Sequence, residues 1–245
     1  MAAIIEAFQI TKEISTSNST SPTEILHGID FSANAGEFVS ILGPSGSGKT
    51  TLLRCLSGLT SLTSGSVLIE GKKLSTLSMK EMALLRRTTV SYIFQSYNLL
   101  PALPALENIV LPLRLNHQKF SIKEVQTLMD ELRFQAKLHQ LPAALSGGEQ
   151  QKVAIARALM TKAKLIFADE PTGALDSLSR EIIFEKLRTL VNSGACVIMV
   201  THDIEQAAKT DRALILKDGI ITSIYNHPSE QMLFEAMRSP EKVLS

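Results

Sequence analysis

No stretch of this 245-residue chain is apolar for long enough to cross a bilayer. A spanning helix needs about 18–20 consecutive apolar residues. Runs such as Leu165–Ala168 and Cys196–Val200 are strand-sized, so a role at a membrane requires a partner that supplies the spans. The chain also lacks a charge surplus: 25 Lys and Arg stand against 24 Asp and Glu, a formal net charge of +1. That balance gives no bulk attraction to nucleic acid or to an anionic lipid surface. Met1–Ile10 has no basic start followed by an apolar stretch, so no secretion signal is expected. Cysteine is scarce. Cys55 and Cys196 both sit in apolar surroundings and read as reduced, buried thiols of a cytoplasmic protein. The five histidines share no metal-ligand spacing with them, and no internal repeat is found.

What is present is the pattern of an α/β domain. Apolar stretches predict strands at Ala3–Ile10, Ile29–Ala33, Glu37–Leu42, Gly65–Glu70 and Thr89–Phe94. Leu165–Ala168 and Cys196–Val200 are continuously apolar, as strands buried on both faces of a parallel sheet are. Helices are predicted at Thr50–Leu59, with a stripe of Leu52, Leu53, Leu56 and Leu59, at Ser78–Arg87, and at Ser177–Asn192. Asp218–Gly219 reads as a hairpin turn between Arg212–Leu216 and Ile220–Ile224, and Ser229–Met237 as a closing helix. Ser15–Pro22 is polar without periodicity and predicts an exposed, mobile loop. Texture changes after Gln95. Pro101, Pro104 and Pro112 argue against one continuous helix over Leu99–Pro112, and Ser121–Leu132 has helical spacing with Ser121 as its cap. A helical subdomain is placed at 95–160, inserted into a nucleotide core made of 1–94 and 161–245. Alternating strands and helices point to a mostly parallel sheet.

Three segments carry chemistry. Gly43-Pro44-Ser45-Gly46-Ser47-Gly48-Lys49-Thr50, followed by Thr51, lies between a predicted strand and a predicted helix. Its glycines let backbone N–H groups turn inward, and the helix start adds positive potential, so the loop suits a polyphosphate. Lys49 brings a full charge to the β- and γ-phosphates, and the Thr50 hydroxyl suits Mg2+. Asp169 and Glu170 close an apolar strand at the sheet edge where ligands bind. Asp169 suits the Mg2+ shell, and Glu170 suits a general base for the attacking water. His202 and Gln95 each follow a strand and reach the same edge, His202 toward the γ-phosphate or the water and Gln95 toward Mg2+ or water. In the third segment Ser146 can cap a helix whose start at Gly147–Gly148 permits close backbone approach. That start is either an anion site facing another molecule's nucleotide or an ordinary capped helix, and the residues alone leave both open.

In order and spacing, Gly43–Thr50, Gln95, Leu145–Glu149, Leu165–Glu170, Gly173–Asp176 and His202 resemble the motifs of ATP-binding-cassette ATPases. The resemblance covers about Ile4 to Ile224. It implies a P-loop NTPase (RecA-like) core with a small antiparallel β subdomain and an inserted helical subdomain. It further implies that ATP and Mg2+ are bound and that two copies form a homodimer in the ATP-bound state. In that arrangement Ser146, Gly147, Gly148, Glu149 and Asp176 reach ATP held by the opposite copy. Gln95 is implied to link the site to a transmembrane permease. Ile93–Pro101, Leu106–Pro112 and Leu145–Leu159 are similar to the branch containing macrolide-efflux, lipoprotein-release, cell-division and antimicrobial-peptide resistance cassettes. Three departures stand out. Ile14 occupies the place where an aromatic residue usually stacks on adenine, Glu149 stands where many cassettes have Gln, and Lys152 replaces a more usual Arg.

The leading expectation is the ATPase subunit of a membrane transporter, cytoplasmic and peripheral on the inner face of the membrane through its permease. It would power export or mechanotransmission, in efflux or antimicrobial-peptide resistance. A lipoprotein-release or cell-division type cassette, acting as an ATP-regulated scaffold, is the alternative. A soluble cassette acting on DNA or the ribosome is disfavoured, because the chain has no room for long coiled-coil insertions and no basic surplus.

Overall fold

The computed structural model describes residues 3–14 and 22–238. Of the expected loop Ser15–Pro22, only Pro22 lies inside the described residues. The chain runs β1 (Ala3–Ile14), β2 (Thr23–Asn34), β3 (Phe38–Leu42), α1 (Lys49–Leu56), β4 (Ser64–Ile69), β5 (Lys72–Lys73), α2 (Met79–Thr88) and β6 (Val90–Ile93). It continues through α3 (Ala105–Leu115), α4 (Ile122–Glu131), α5 (Gly147–Met160), β7 (Leu165–Asp169), α6 (Ser177–Asn192) and β8 (Cys196–Val200). It closes with α7 (Ile204–Ala208), β9 (Arg212–Lys217), β10 (Ile220–Asn226) and α8 (Glu230–Arg238).

Two sheets form. The larger has the order β10-β9-β3-β8-β7-β6. Strands β9, β3, β8, β7 and β6 pair in parallel, and β10 is antiparallel at the edge. Every residue of β3, β7 and β8 is buried, which explains why they read as unbroken apolar runs. Because the strands are parallel, the segments after β3, β6, β7 and β8 all emerge at one edge. The smaller sheet, β2-β1-β4-β5, is antiparallel. It packs with α1 over one face of the large sheet, where Leu52, Leu53 and Leu56 meet Val39, Ile41 and Ile198. The opposite face is covered by α3, α5 and α6 in a core that holds Ile109, Val153, Ile155 and Leu187 beside Ile166 and Val197. Phe38 stacks on Phe184 at 5.1 Å, under the Arg188 guanidinium. A third core under α7 and α8 joins Leu42, Ile215 and Leu233.

Several boundaries differ from the sequence expectation, each for a local reason. Strands β1 and β2 are longer than predicted, since polar Lys12, Glu13 and Glu24 continue the ladder where no alternation marks it. Helix α1 stops at Leu56, because Gly58 turns to φ 68, and Leu59 is left 38% exposed instead of completing the stripe. Helix α3 starts after Pro104 as the prolines require, yet it continues through Pro112, which cannot donate the hydrogen bond a helix would direct to the Asn108 carbonyl. Ser121 precedes α4 as expected but makes no capping hydrogen bond. Asp218 and Gly219 both take positive φ (44° and 74°), the backbone a two-residue hairpin requires.

One buried polar residue organises the turn before α3. Asn108, fully buried, accepts a hydrogen bond from Leu100 N at 2.8 Å and donates to the carbonyls of Leu100 and Leu103. Nothing in the sequence pattern singles it out.

Candidate active site

The phosphate loop is shaped first by packing. A methyl group built on Gly43 would lie 1.9 Å from the Leu216 carbonyl oxygen, so β9 itself requires glycine there. Gly46 and Gly48 take φ 82 and 97, conformations that side chains resist. Gly48 caps α1 without a side chain, which leaves the first N–H groups of the helix free of side-chain capping. The loop is tied down where Gly219 N donates to the Ser47 carbonyl at 3.1 Å. Lys49 Nζ donates to the carbonyls of Gly43 and Pro44 at 2.9 and 2.7 Å, curling over the loop. Burial lowers the Lys49 ammonium from its ordinary pKa, opposed by the charges of Glu170 and Asp169.

A cleft of about 560 Å3 opens over this loop. Gly43, Ser45, Gly46, Gly48, Lys49, Thr50 and Thr51 line it, with Gln95, Glu170, His202 and Ile14. Ile14, at the end of β1, is 41% exposed and forms an aliphatic wall together with Ile25, which the sequence reading did not mark. The cleft thus gathers residues that follow four different strands.

Behind the loop, Thr50 Oγ1 donates to Asp169 Oδ1 at 2.9 Å, and the Tyr92 hydroxyl donates to Oδ2 at 3.4 Å. Asp169 is 2% exposed. Burial pushes its carboxyl above the ordinary carboxylate value, while the Thr50 hydrogen bond and the Arg54 charge pull it back. Tyr92 and Arg54 were not marked by the sequence reading, although Tyr92 lies on the strand that delivers Gln95. Hard oxygen donors fit Mg2+, which takes few protein ligands and keeps its waters. The adjacent Thr50 hydroxyl and Asp169 carboxylate suit it. Among the described residues no cluster of three or more His, Cys, Asp or Glu could hold a metal.

Glu170 sits at φ 47, a strained conformation for a non-glycine residue, with its N–H donated to the Val200 carbonyl at 3.0 Å. The bend turns its carboxylate toward His202, whose Nδ1 lies 3.0 Å from Glu170 Oε2. The two residues therefore act on each other as well as on the cleft.

The remaining expected residues do not line this cleft. Ser146 caps α5 through a reciprocal box: its Oγ accepts from Glu149 N, and Glu149 Oε2 accepts from Ser146 N. Either Glu or Gln at this third position can close such a box, so the departure at Glu149 is neutral for the cap. The helix is fastened on three sides. Gln151 Nε2 donates to Pro171 O at 2.8 Å, Lys152 Nζ to Arg133 O at 2.9 Å, and the Arg157 guanidinium to Tyr97 O and Asn98 O. Lys152 serves a single carbonyl, which needs no guanidinium fork. A methyl group on Gly148 would lie 3.4 Å from Leu175 Cδ2, so this helix start rests on the Gly173–Asp176 loop. Asp176 itself caps α6, accepting from Ser179 N and Oγ at 2.9 and 2.8 Å. Those hydrogen bonds hold its carboxyl below its ordinary pKa. Both cysteines are buried, and burial pushes the Cys55 thiol up to about 11.

Comparison with known proteins places this geometry in context. Residues 26–173 match the family model described as "ABC transporter". The chain is 45% identical over 208 residues to a macrolide export ATP-binding/permease protein, MacB, of Brucella melitensis, covering 84% of this chain and 32% of that relative. It therefore spans about a third of that relative's length. It is 40% identical over 247 residues to the bacitracin export ATP-binding protein BceA of Halalkalibacterium halodurans, covering 99% of this chain and 97% of the relative. Among solved structures, the dimeric post-hydrolysis state of the ATP-binding cassette MJ0796, bound to ADP and Pi, superposes with a TM-score of 0.85 at 36% identity. That match covers 92% of this chain and 99% of the other. With a phosphate loop, a strand-end acid pair and a capped Ser-Gly-Gly helix matched across most of its length, the chain belongs to the ABC transporter family.

Proposed function

We propose that this chain is the ATP-binding and ATP-hydrolysing subunit of a membrane transporter and drives a separate permease that supplies the spans. One observation carries the reading: Lys49, Thr50, Gln95, Glu170 and His202 line a single cleft although they follow four different strands. The phosphate-loop N–H groups and Lys49 hold the phosphates. Thr50 and Asp169 hold Mg2+ with help from Gln95, and the ion, when bound, offsets phosphate charge. Glu170 accepts a proton from the attacking water, and His202 fixes the Glu170 carboxylate through Nδ1. Ile14 and Ile25 bury the adenine ring without stacking. Two copies pair head to tail, so that Ser146, Gly147 and Gly148 of one meet the γ-phosphate held by the other. Glu149 closes the cap that shapes this helix start. The segment 95–160 acts as the lever that carries closure to the permease on the inner face of the membrane.

The end-to-end match with the bacitracin exporter subunit favours a role in export of, or resistance to, a peptide antibiotic. Purified protein is expected to hydrolyse ATP only with Mg2+. Tight ATP binding without turnover would favour the scaffold reading, and a Lys49→Ala protein that still bound ATP tightly would overturn the phosphate-loop assignment. Deletion in the host is expected to sensitise cells to a peptide antibiotic; unchanged sensitivity with defective lipoprotein sorting would move the chain to the lipoprotein-release class.

A further inference from the structure

The loop after Gln95 is anchored to α5 by the Arg157 side chain. Arg157 Nη2 donates to the Tyr97 carbonyl and Nη1 to the Asn98 carbonyl, each at 2.9 Å. Tyr97 and Asn98, whose carbonyls the fork holds, both adopt positive φ, 62° and 49°. Such a pair of left-handed residues without glycine is costly, so the fork stabilises a backbone shape that the loop would otherwise leave.

Tyr97 also reaches the other end of the same helix. A methyl group on Gly147 would lie 3.1 Å from the Tyr97 hydroxyl oxygen. Gly147 and Arg157 are ten residues apart on α5, or ~15 Å at the helical rise. An arginine side chain on a helix points back toward the N-terminus. With the length of the tyrosine added, the two contacts span that distance. Tyr97 thus lies along α5 as a strut, held at its carbonyl by Arg157 and abutting the helix start at Gly147. The segment Tyr97–Asn98 belongs mechanically to α5, which leaves Gln95–Ser96 as the joint with β6.

From this geometry we infer that Arg157 is a positioning residue for the paired nucleotide site: through the Tyr97 strut it ties the Gln95 loop at one nucleotide to the Ser146–Gly148 helix start that reads the other. The inference rests on the paired-site reading above. A γ-phosphate sensed by Gln95 then shifts Ser146–Gly148 as one body. Without the fork, the loop moves and the helix start does not follow. Lysine is the poorer clamp here, because its flexible ammonium lacks the rigid planar guanidinium that presents two donors in a fixed geometry.

The test uses the full chain carrying Glu170→Gln. Sedimentation velocity measures the ATP-bound dimer, and equilibrium dialysis with labelled ATP measures binding by the monomer. Adding Arg157→Lys is expected to weaken the dimer about tenfold and to leave monomer ATP affinity within about twofold, the size of a coupling between linked sites. Combined with Ser146→Ala, the losses should be clearly less than multiplicative, since both act on one helix start. A merely structural arginine would lower the melting temperature and show independent, multiplicative losses. If Arg157→Lys does not fold, Tyr97→Phe decides: it keeps the ring and backbone, removes the hydroxyl beside Gly147, and is expected to weaken the dimer in the same direction. A dimer as tight as the parent's in the folded variant overturns the strut and leaves the proposed function standing. A Glu170→Gln protein that stays monomeric with ATP overturns both.

Discussion

His202 Nδ1 lies 3.0 Å from Glu170 Oε2. Neither residue is near the other in sequence, and each arrives from its own strand end, Glu170 after β7 and His202 after β8. The contact gives the proposed base a fixed orientation and gives the histidine a defined partner. Glu170→Gln is therefore expected to lower turnover by about 10²-fold or more while ATP binding persists, the usual cost of losing a general base. His202→Ala should also lower turnover with ATP affinity preserved. Steady-state phosphate release with parallel ATP titration checks both, and full activity in Glu170→Gln would remove it from the base role.

The buried Asp169 makes a prediction with a definite sign. Burial raises its folded-state pKa, so the native chain binds this proton more tightly than the unfolded chain does. Ionised Asp169 is then a cost to stability at neutral pH, and that cost disappears as pH falls below the unfolded carboxylate value, about 4. Asp169→Asn should melt at a higher temperature than the parent at pH 7, with the gap closing toward pH 4, and should lose the Mg2+ dependence of ATP binding. Calorimetry across pH measures the first, and ATP titration with and without Mg2+ the second. A variant less stable than the parent at pH 7 would contradict the account of the site.

Ser146 has two duties that a single substitution separates. As the cap of α5 it contributes to stability, and Ser146→Ala should cost about 1 kcal/mol in denaturant unfolding. As the proposed contact to a second copy it should weaken the ATP-bound dimer while the monomer binds ATP normally. Loss of ATP binding by the monomer would show that Ser146 faces its own chain's nucleotide.

Asn108 offers a stability prediction away from the nucleotide. Asn108→Ala removes the acceptor of the Leu100 N–H and the donor to the Leu100 and Leu103 carbonyls in a partly buried turn, where Leu103 N still donates to Leu100 O. The expected loss is about 1–3 kcal/mol. Urea unfolding checks it, and a loss well below that range would mean that the turn is held by other contacts.

The legible parts of this chain are those where one local pattern has one physical cause. Unbroken apolar runs at β3, β7 and β8 come from burial on both faces. The phosphate loop announces itself because positive φ at Gly46 and Gly48, and the Leu216 carbonyl against Gly43, all demand glycine. Asp218–Gly219 is legible for the same reason. What escaped depends on contacts between distant segments. The Arg157 fork, Gln151 on Pro171, Tyr92 on Asp169 and the Asn108 turn leave no periodic trace. The polar ends of β1 and β2 were missed because edge pairing there is satisfied by backbone hydrogen bonds. Ser146 lies between: its cap is legible in the sequence, and its proposed contact with a second molecule's nucleotide is suggested by the family resemblance alone.

In the proposed function, two copies of this chain complete one nucleotide site. Sedimentation velocity of Glu170→Gln, with and without ATP, tests it most directly. The protein is expected to be a monomer that becomes a dimer on adding ATP and reverts when ATP is removed. A protein that binds ATP stoichiometrically and remains monomeric at every concentration would contradict it.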